Sequence, residues 1–345
     1  MGALRIAVLG AGLIGKKHIN VLLAGEGNYE LAGVADPDVS AAAQAAPDAL
    51  HFLSIDSLIT EAKPDGVIIA TPNQTHLEMG LSCINAGLPI LVEKPVADSL
   101  EDAHRLVDAA EAVGVPVLVG HHRRHNPIMQ AAAEAVHSGS LGRVVTAASL
   151  WMTHKPKGYH DPIWRRRPGG GPILINAIHE IDSLRMLLGD IVEVQAFSSN
   201  AERGFEVEDT TAAVFRFSSG ALGTLALSDT ASAPWTWEWT SGENPDFPNE
   251  DTDSLFIAGT LGSLAVPSLI LRTHPEGYQS WLTPLTEKQL TYRPQDPYIP
   301  QMKNFCDVIN GDGEPVVSGR EGLKTLAATL AIAEAAATGR AVRLD

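Results

Sequence analysis

Apolar and polar positions along the chain follow two different rhythms. Over the first third, short apolar runs at residues 5–9, 31–35, 66–70, 89–92 and 115–119 are punctuated by Gly, Pro and Asp. Rich in Val, Ile and Leu, such runs read as strands buried on both faces. Between them, residues 15–23, 57–61, 76–86 and 100–113 carry apolar positions at helical spacing. Strands separated by helices of this length imply right-handed crossovers and a parallel sheet.

The rhythm changes near Gly120. After a helical stretch at 127–138 come longer alternating runs at 143–152, 192–199, 210–217, 221–228 and 254–257. Ser218, Ser219 and Gly220 between two of these read as a hairpin turn. A helix at 175–188 interrupts the series, and residues 301–338 are helical again at both ends. The expected fold is an α/β Rossmann domain over residues 1–122. An α+β domain with a mainly antiparallel open sheet, helices on one face, follows over 123–345. The C-terminal helices are expected to pack back on the first domain. Trp235, Trp237 and Trp239 alternate, which on a strand puts them on one face, either stacking on a ligand or packing on a helix or second subunit. The surrounding loop, 234–253, is a candidate lid or oligomer contact.

Composition narrows the class. At 345 residues the chain exceeds one ordinary core, and 45% apolar with 19% charged residues is a globular balance. The formal net charge of -16 repels nucleic acid and anionic membranes, so neither is expected as a partner. No run approaches the roughly 20 apolar residues of a membrane helix, and the N-terminal run is broken by Gly10 and Gly12. Cys83 and Cys306 are the two cysteines, too few for a disulfide framework, which suits a reduced, cytoplasmic protein.

The chemistry starts at Gly10, Gly12 and Gly15, spaced G-x-G-x-x-G after the first strand and opening the first helix. Gly10 permits the tight turn, a side chain at Gly12 would block a pyrophosphate, and Gly15 lets helix approach strand. Leu13 and Ile14 stand at the helix N-terminus, where free N–H groups and the helix dipole attract phosphate. Asp36 ends the second strand, where ribose hydroxyls would lie, and its charge repels a 2′-phosphate. NAD is therefore expected as the cofactor ahead of NADP.

Further motifs accumulate. The run Ala70 to His76 (ATPNQTH) follows the third expected strand, and Glu93, Lys94 and Pro95 follow the fourth. Gly169, Gly170 and Gly171 precede a helix carrying Asn176, His179 and Asp182. Together these resemble the Gfo/Idh/MocA family of NAD(P)-dependent dehydrogenases, the group of glucose-fructose oxidoreductase and inositol dehydrogenase. The resemblance spans essentially the whole chain, and the Glu-Lys-Pro triplet is its most specific mark. It implies that Lys94 sits beside the nicotinamide and that His179 is the acid/base. It also implies that Thr71, Pro72, Asn73, His76 and Glu93 line the cofactor, and that the open sheet mediates a homodimer or homotetramer. One position departs: the family often has Asp four residues before the His, and here Ile175 stands there. Asn176, three residues before His179 and on the same face of an α-helix, can hold a substrate hydroxyl but cannot titrate. Asp182 either orients His179 or pairs elsewhere.

The expected reaction is oxidation of a secondary alcohol of a sugar, cyclitol or sugar acid, with hydride passing to the nicotinamide. Histidine suits the proton transfer near neutral pH, and Lys94 would stabilise a developing alkoxide. Arg123, in the run Gly120 to Asn126, is a candidate substrate contact. His121, His122 and His125 lack a carboxylate or cysteine at ligand spacing, so no metal site is expected. A second basic segment leads into the His179 helix; Lys155, Tyr159, Trp164 and Arg166 from it are candidate substrate contacts, suited to a substrate with an acid group. Alternatives share the scaffold: a cis-dihydrodiol dehydrogenase of aromatic carboxylates, a non-catalytic NAD-binding sensor, or an enzyme that recycles bound NAD.

Overall fold

The computed structural model describes residues 2–25, 27–275 and 277–344. The chain divides into two compact units, residues 1–125 with 296–326, and residues 126–295 with 327–345.

The first unit is built on β1 (Leu4–Leu9), β2 (Tyr29–Ala35), β3 (His51–Phe52), β4 (Gly66–Ile69), β5 (Ile90–Val92) and β6 (Val117–Val119). These form one parallel sheet in the order β3-β2-β1-β4-β5-β6. The connecting helices are α1 (Leu13–Ala24), α2 (Val39–Ala45), α3 (His76–Asn85) and α4 (Leu100–Val113). Ile6, Val8, Ile68 and Leu91 are buried at the centre of the sheet, as the continuous apolar runs require. The sequence pattern predicts five of these strands and omits β3 and α2. Two residues are too few to show a period. α2 is announced instead by Asp38, whose carboxylate accepts from the N–H groups of Ser40 and Ala41. The helix expected at 57–61 is a single α-turn, Ile55–Ser57, running into a π-turn, Leu58–Ala62.

The second unit carries a nine-stranded sheet. Its strands are β7 (Val144–Met152), β8 (Ile191–Ser199), β9 (Thr210–Phe217), β10 (Leu222–Ser228), β11 (Leu255–Gly259), β12 (Gly262–Val266), β13 (Ile270–Thr273), β14 (Thr286–Gln289) and β15 (Val342–Arg343). The order is β14-β13-β12-β11-β7-β10-β9-β8-β15, and only β7 and β10 run parallel. The hairpin turn at 218–220 joins β9 to β10, with Leu222 opposite Arg216. Along β9 exposed and buried residues alternate without exception, so one face of the sheet is covered. The covering residues come from α5 (Pro127–His137), from α6 (Ile178–Leu188), and from residues 328–335; Met129, Ala132, Ile181, Leu184 and Ile332 pack against Phe215, Leu225 and Ile257 of the sheet. The last two helices are α7 (Tyr298–Asn310) and α8 (Gly319–Thr338), and the division between units falls inside α8. No helix among the described residues is long and apolar enough to cross a membrane.

Two expectations in this unit are corrected. Trp235, Trp237 and Trp239 do not share a strand face, because Thr236 accepts from the Trp239 N–H and starts a helical turn, Trp237–Thr240. Trp237 is buried and Trp235 exposed as a result. The helix carrying His179 begins earlier than residue 175, in a π-turn, Ile173–Ala177, that leads into α6. A π-turn holds more residues per turn than an α-turn, so Asn176 and His179 are not related by simple α-helical spacing.

Candidate functional site

In the first unit the glycine loop has the geometry its spacing demands. Gly10 has φ +93°, and a Cβ there would lie 2.6 Å from the Ala70 carbonyl oxygen at the end of β4. A Cβ on Gly15 would lie 1.9 Å from the Gly10 oxygen. At Gly12 a Cβ would meet no protein atom within 4 Å, so packing does not require glycine there. What the missing side chain leaves open is the approach to the N-terminus of α1, which has no side-chain cap. The first N–H groups of this helix have no side-chain acceptor, which suits them to phosphate oxygens, and Leu13, 85% exposed, stands beside them. Asp36 accepts from the Ala11 N–H at 2.7 Å and the Asp38 N–H at 2.8 Å. Its carboxylate therefore ties β2 to the glycine loop with lone pairs to spare for ribose hydroxyls. These residues fit a dinucleotide. Gly15→Ala is expected to weaken NADH binding at least tenfold, at a packing cost of about 1–3 kcal/mol, measurable by fluorescence titration and melting.

Two further loops leave the carboxyl ends of β4 and β5. In the first, Thr71, Pro72 and Asn73 enter a 3-10 turn in which the Thr75 hydroxyl donates to Thr71 Oγ1 at 2.8 Å and to the Pro72 carbonyl at 2.8 Å. His76 lies underneath, 1% exposed, with Nδ1 2.9 Å from the Pro95 oxygen and Nε2 3.0 Å from the Thr71 oxygen. It is placed to brace both loops rather than to line a ligand surface, and burial lowers its pKa. Glu93 is likewise buried. Its Oε1 lies 2.8 Å from His18 Nε2 on α1, and its Oε2 accepts from the Lys94 N–H at 3.3 Å. Burial pushes the Glu93 carboxyl up, but the hydrogen bond and charge of His18, with His122 and Lys94 nearby, hold it below its ordinary value. Lys94 is half-buried at the end of β5, before a cis bond to Pro95.

The sequence reading missed three supports of this arrangement. His18 follows the glycine loop by three residues. Gly120 must be glycine because a Cβ would sit 2.6 Å from Glu93 Oε1. Tyr298 meets His18 edge-on at 5.2 Å and stacks on His122 at 4.9 Å. Arg123, in the 3-10 turn His122–His125, is 3% exposed. Among the described residues no three His, Cys, Asp or Glu side chains are grouped to hold a metal ion.

In the second unit, His179 is half-buried on α6 and Asp182 is 1% exposed. The π-turn before α6 is held by Glu208, whose Oε1 accepts from the Ile173 N–H at 2.8 Å. A Cβ on Gly171 would lie 2.4 Å from that same oxygen, so a side chain there would displace the Glu208 carboxylate. Asn176 is 8% exposed, and its buried Oδ1 has no hydrogen-bond partner among the described residues. An unpaired amide oxygen costs stability unless something else donates to it, which is what a substrate hydroxyl would do.

The basic segment between β7 and this helix folds as a compact knot. Lys155 and Tyr159 come together, the ammonium 4.5 Å from the ring centroid. Arg166 stacks on Phe205 at 5.3 Å and its Nε donates to the His160 carbonyl. Trp164 is 55% exposed, with the Arg165 guanidinium 5.1 Å from its ring centroid. Arg165, Arg203 and Asp229 belong to the same knot and were not singled out from the sequence. Arg203 reaches it from the β8–β9 loop and Asp229 from the end of β10, positions that only the sheet pairing brings beside residue 155.

Comparison with known proteins agrees with this layout. Residues 4–121 match the oxidoreductase family with an NAD-binding Rossmann fold, and residues 129–265 match the GFO/IDH/MocA C-terminal domain. The chain is 32% identical to 1,5-anhydro-D-fructose reductase of Ensifer adhaerens over 85% of its length and 83% of that protein. It is 30% identical to inositol 2-dehydrogenase 2 of Saccharopolyspora erythraea, over 80% and 77% of the two chains. Among solved structures, the WlbA dehydrogenase from Bordetella pertussis, in complex with NADH and UDP-GlcNAcA, superimposes with a TM-score of 0.79 at 27% identity, covering 99% of both chains. Glycine loop, Glu-Lys-Pro turn, parallel sheet and mixed sheet thus agree with the sequence matches: the chain belongs to the Gfo/Idh/MocA oxidoreductase family, with an NAD(P)-binding Rossmann domain.

Proposed function

We propose that the protein is an NAD-dependent dehydrogenase that oxidises a secondary alcohol of a sugar, cyclitol or sugar acid. The observation that carries this reading is the set of loops at the carboxyl ends of β1, β2, β4 and β5. An open helix N-terminus follows β1, the Asp36 carboxylate follows β2 and Lys94 follows β5, all in one parallel sheet. Relatives named as inositol dehydrogenases and a sugar reductase support the substrate class. NAD, when bound, supplies the hydride acceptor. The chain's own residues do the rest. The N-terminus of α1 binds the pyrophosphate. Thr71, Pro72 and Asn73 border the cofactor, while His76 and Glu93 hold the loops from below. Lys94 stabilises the alkoxide as it develops, and His179 removes the hydroxyl proton. Asn176 orients the substrate through its unpaired Oδ1.

The protein is read as cytoplasmic and as a homodimer or homotetramer. The uncovered sheet face supports self-association, with Phe197, Val214, Leu222 and Phe256 exposed on it. The test follows nicotinamide absorbance with NAD and NADP in parallel across polyols, cyclitols, aldoses, sugar acids and cis-dihydrodiols of aromatic acids. NADH formation with a sugar, cyclitol or sugar acid, and a preference for NAD that Asp36→Ser erodes about tenfold or more, is the expected result. Aromatic product from a dihydrodiol, or tight NADH binding with no turnover on any member, overturns it.

A further inference from the structure

Lys155 and Arg165 are two cations in a chain of net charge -16, yet neither meets a carboxylate among the described residues. The Lys155 ammonium lies 4.8 Å from the Trp151 ring centre and 4.5 Å from that of Tyr159. The Arg165 guanidinium lies 4.0 Å from the same Tyr159 ring. Its Nη1 donates to the Tyr159 carbonyl, and its buried Nε has no acceptor among the described residues. Aromatic faces hold a cation in place without neutralising it, so both remain available to an anion. Beside them Asp229, 2% exposed, is engaged through Oδ2 by Arg203 at 3.3 Å and His160 at 3.4 Å. Its Oδ1 is buried with no partner. Unpaired polar atoms of this kind, on two adjacent charged groups, mark a place where a ligand completes the hydrogen bonding.

We propose that Lys155, Arg165 and Asp229, set around the Tyr159 ring, recognise a carboxylate of the substrate. The alcohol oxidised then belongs to a sugar acid or another hydroxy acid rather than to a neutral sugar or cyclitol. This narrows the dehydrogenase reading above and rests on it. Arg165 offers its fork and Lys155 a point charge, the usual pair for a planar anion. Asp229 selects within the anions. Burial raises its pKa to about 6, so in acid it presents an O–H donor and above that a negative charge. A carboxylate tolerates that neighbour better than a phosphate dianion does. The β8–β9 loop links this pocket to the acid/base helix. Arg203 and Phe205 reach the basic knot, and Glu208 of the same loop holds the Ile173 N–H.

The groups facing Asp229 define the pH behaviour. They are His160, Arg203, Lys155, Asp209 and Glu208, and Glu238 acts electrostatically on Lys155. Burial and the surrounding cations depress the His160 pKa to about 4, so it stays neutral across the range in which Asp229 ionises. Carboxylate affinity is therefore expected to fall as pH rises through about 6, and Asp229→Asn to flatten that step.

The experiment is calorimetric titration of the NADH-loaded protein with D-glucuronate, D-gluconate and phthalate. D-Glucose, D-glucitol and D-glucose 6-phosphate serve as controls. At least one carboxylate is expected to bind more tightly than its uncharged counterpart and than the phosphate. Lys155→Met, which keeps the stem over the rings, and Arg165→Met should each weaken it about tenfold or more, with NADH affinity unchanged. No preference for any acid, or acid binding indifferent to both substitutions, overturns the proposal. Tighter binding of the sugar phosphate overturns the choice of a carboxylate. Because the titration reads binding and not turnover, the two readings fail separately. Acid binding without NADH formation retains the anion pocket and sinks the dehydrogenase. Turnover of neutral polyols that Lys155→Met leaves intact does the reverse.

Discussion

Lys94→Met is expected to reduce turnover about 10³-fold while leaving NADH affinity within a few-fold of the parent. The methionine keeps the length and apolar stem of lysine and removes only the charge, at a position half-buried where β5 ends. A charge that stabilises a developing alkoxide acts mainly in the transition state, so the loss should appear in kcat and in kcat/KM together. Nucleotide affinity, supplied by the glycine loop and Asp36, should barely change. Steady-state absorbance with the substrate identified by the panel, beside a fluorescence titration with NADH, separates the two. Turnover within tenfold of the parent would remove Lys94 from the chemistry. A parallel collapse of NADH affinity would make it a cofactor-binding residue instead.

His18→Ala is expected to carry the largest stability cost of any single change at this site. The substitution leaves Glu93, 6% exposed, with a buried carboxylate that has lost its strongest partner. Removing one member of a buried ion pair costs about 3–5 kcal/mol. In a domain of this size that lowers Tm by about 10 °C. The sign of the pH dependence follows from the depressed Glu93 pKa. A depressed carboxylate contributes stability above its unfolded pKa and loses it as pH falls through the folded one. The gap between parent and variant should therefore be widest near neutral pH and narrow in acid, where Glu93 is neutral in both. Melting curves from pH 7 down to about pH 2.5 test this, because the folded parent loses the Glu93 charge only below its ordinary pKa. A gap that stays constant with pH would mean that His18 contributes packing against Tyr298 rather than charge. His18→Gln, which keeps a donor but no charge, should recover part of the loss.

The nucleotide half was legible because its constraints are local. Gly10, Gly12 and Gly15 announce a turn, an opening and a close approach within six residues, and each does what its spacing says. The strands β1, β2 and β4 to β6 showed as apolar runs because both their faces are buried. β3 did not, being two residues long. The π-turn at Ile173–Ala177 was invisible for another reason: nothing in the residues Ile-Leu-Ile-Asn-Ala distinguishes it from an α-turn. Its cause is Glu208, thirty-five residues away along the chain. The basic knot was half legible. Lys155 and Tyr159 are neighbours in sequence, but Arg203 and Asp229 join them only because β7 and β10 run side by side in parallel. His76 and Glu93, which the family resemblance assigns to the cofactor, are buried, and their side chains bond to neighbouring loops and to His18. A motif reports which residues matter and not whether they face the ligand.

The loop from Asn200 to Asp209 has a consequence for how such a protein can diversify. Asp209 folds it by accepting from the Glu202 and Arg203 N–H groups at 3.0 Å each. One side of the folded loop feeds the basic knot, and the other anchors the turn that precedes His179. With the roles proposed above for Lys155, Arg165 and His179, selectivity and proton transfer are inherited as a single cassette. A paralogue that acquired a neutral substrate by rebuilding this loop would also have to find a new clasp for its catalytic helix. Single substitutions should thus retune substrate choice more readily than insertions or deletions within these ten positions.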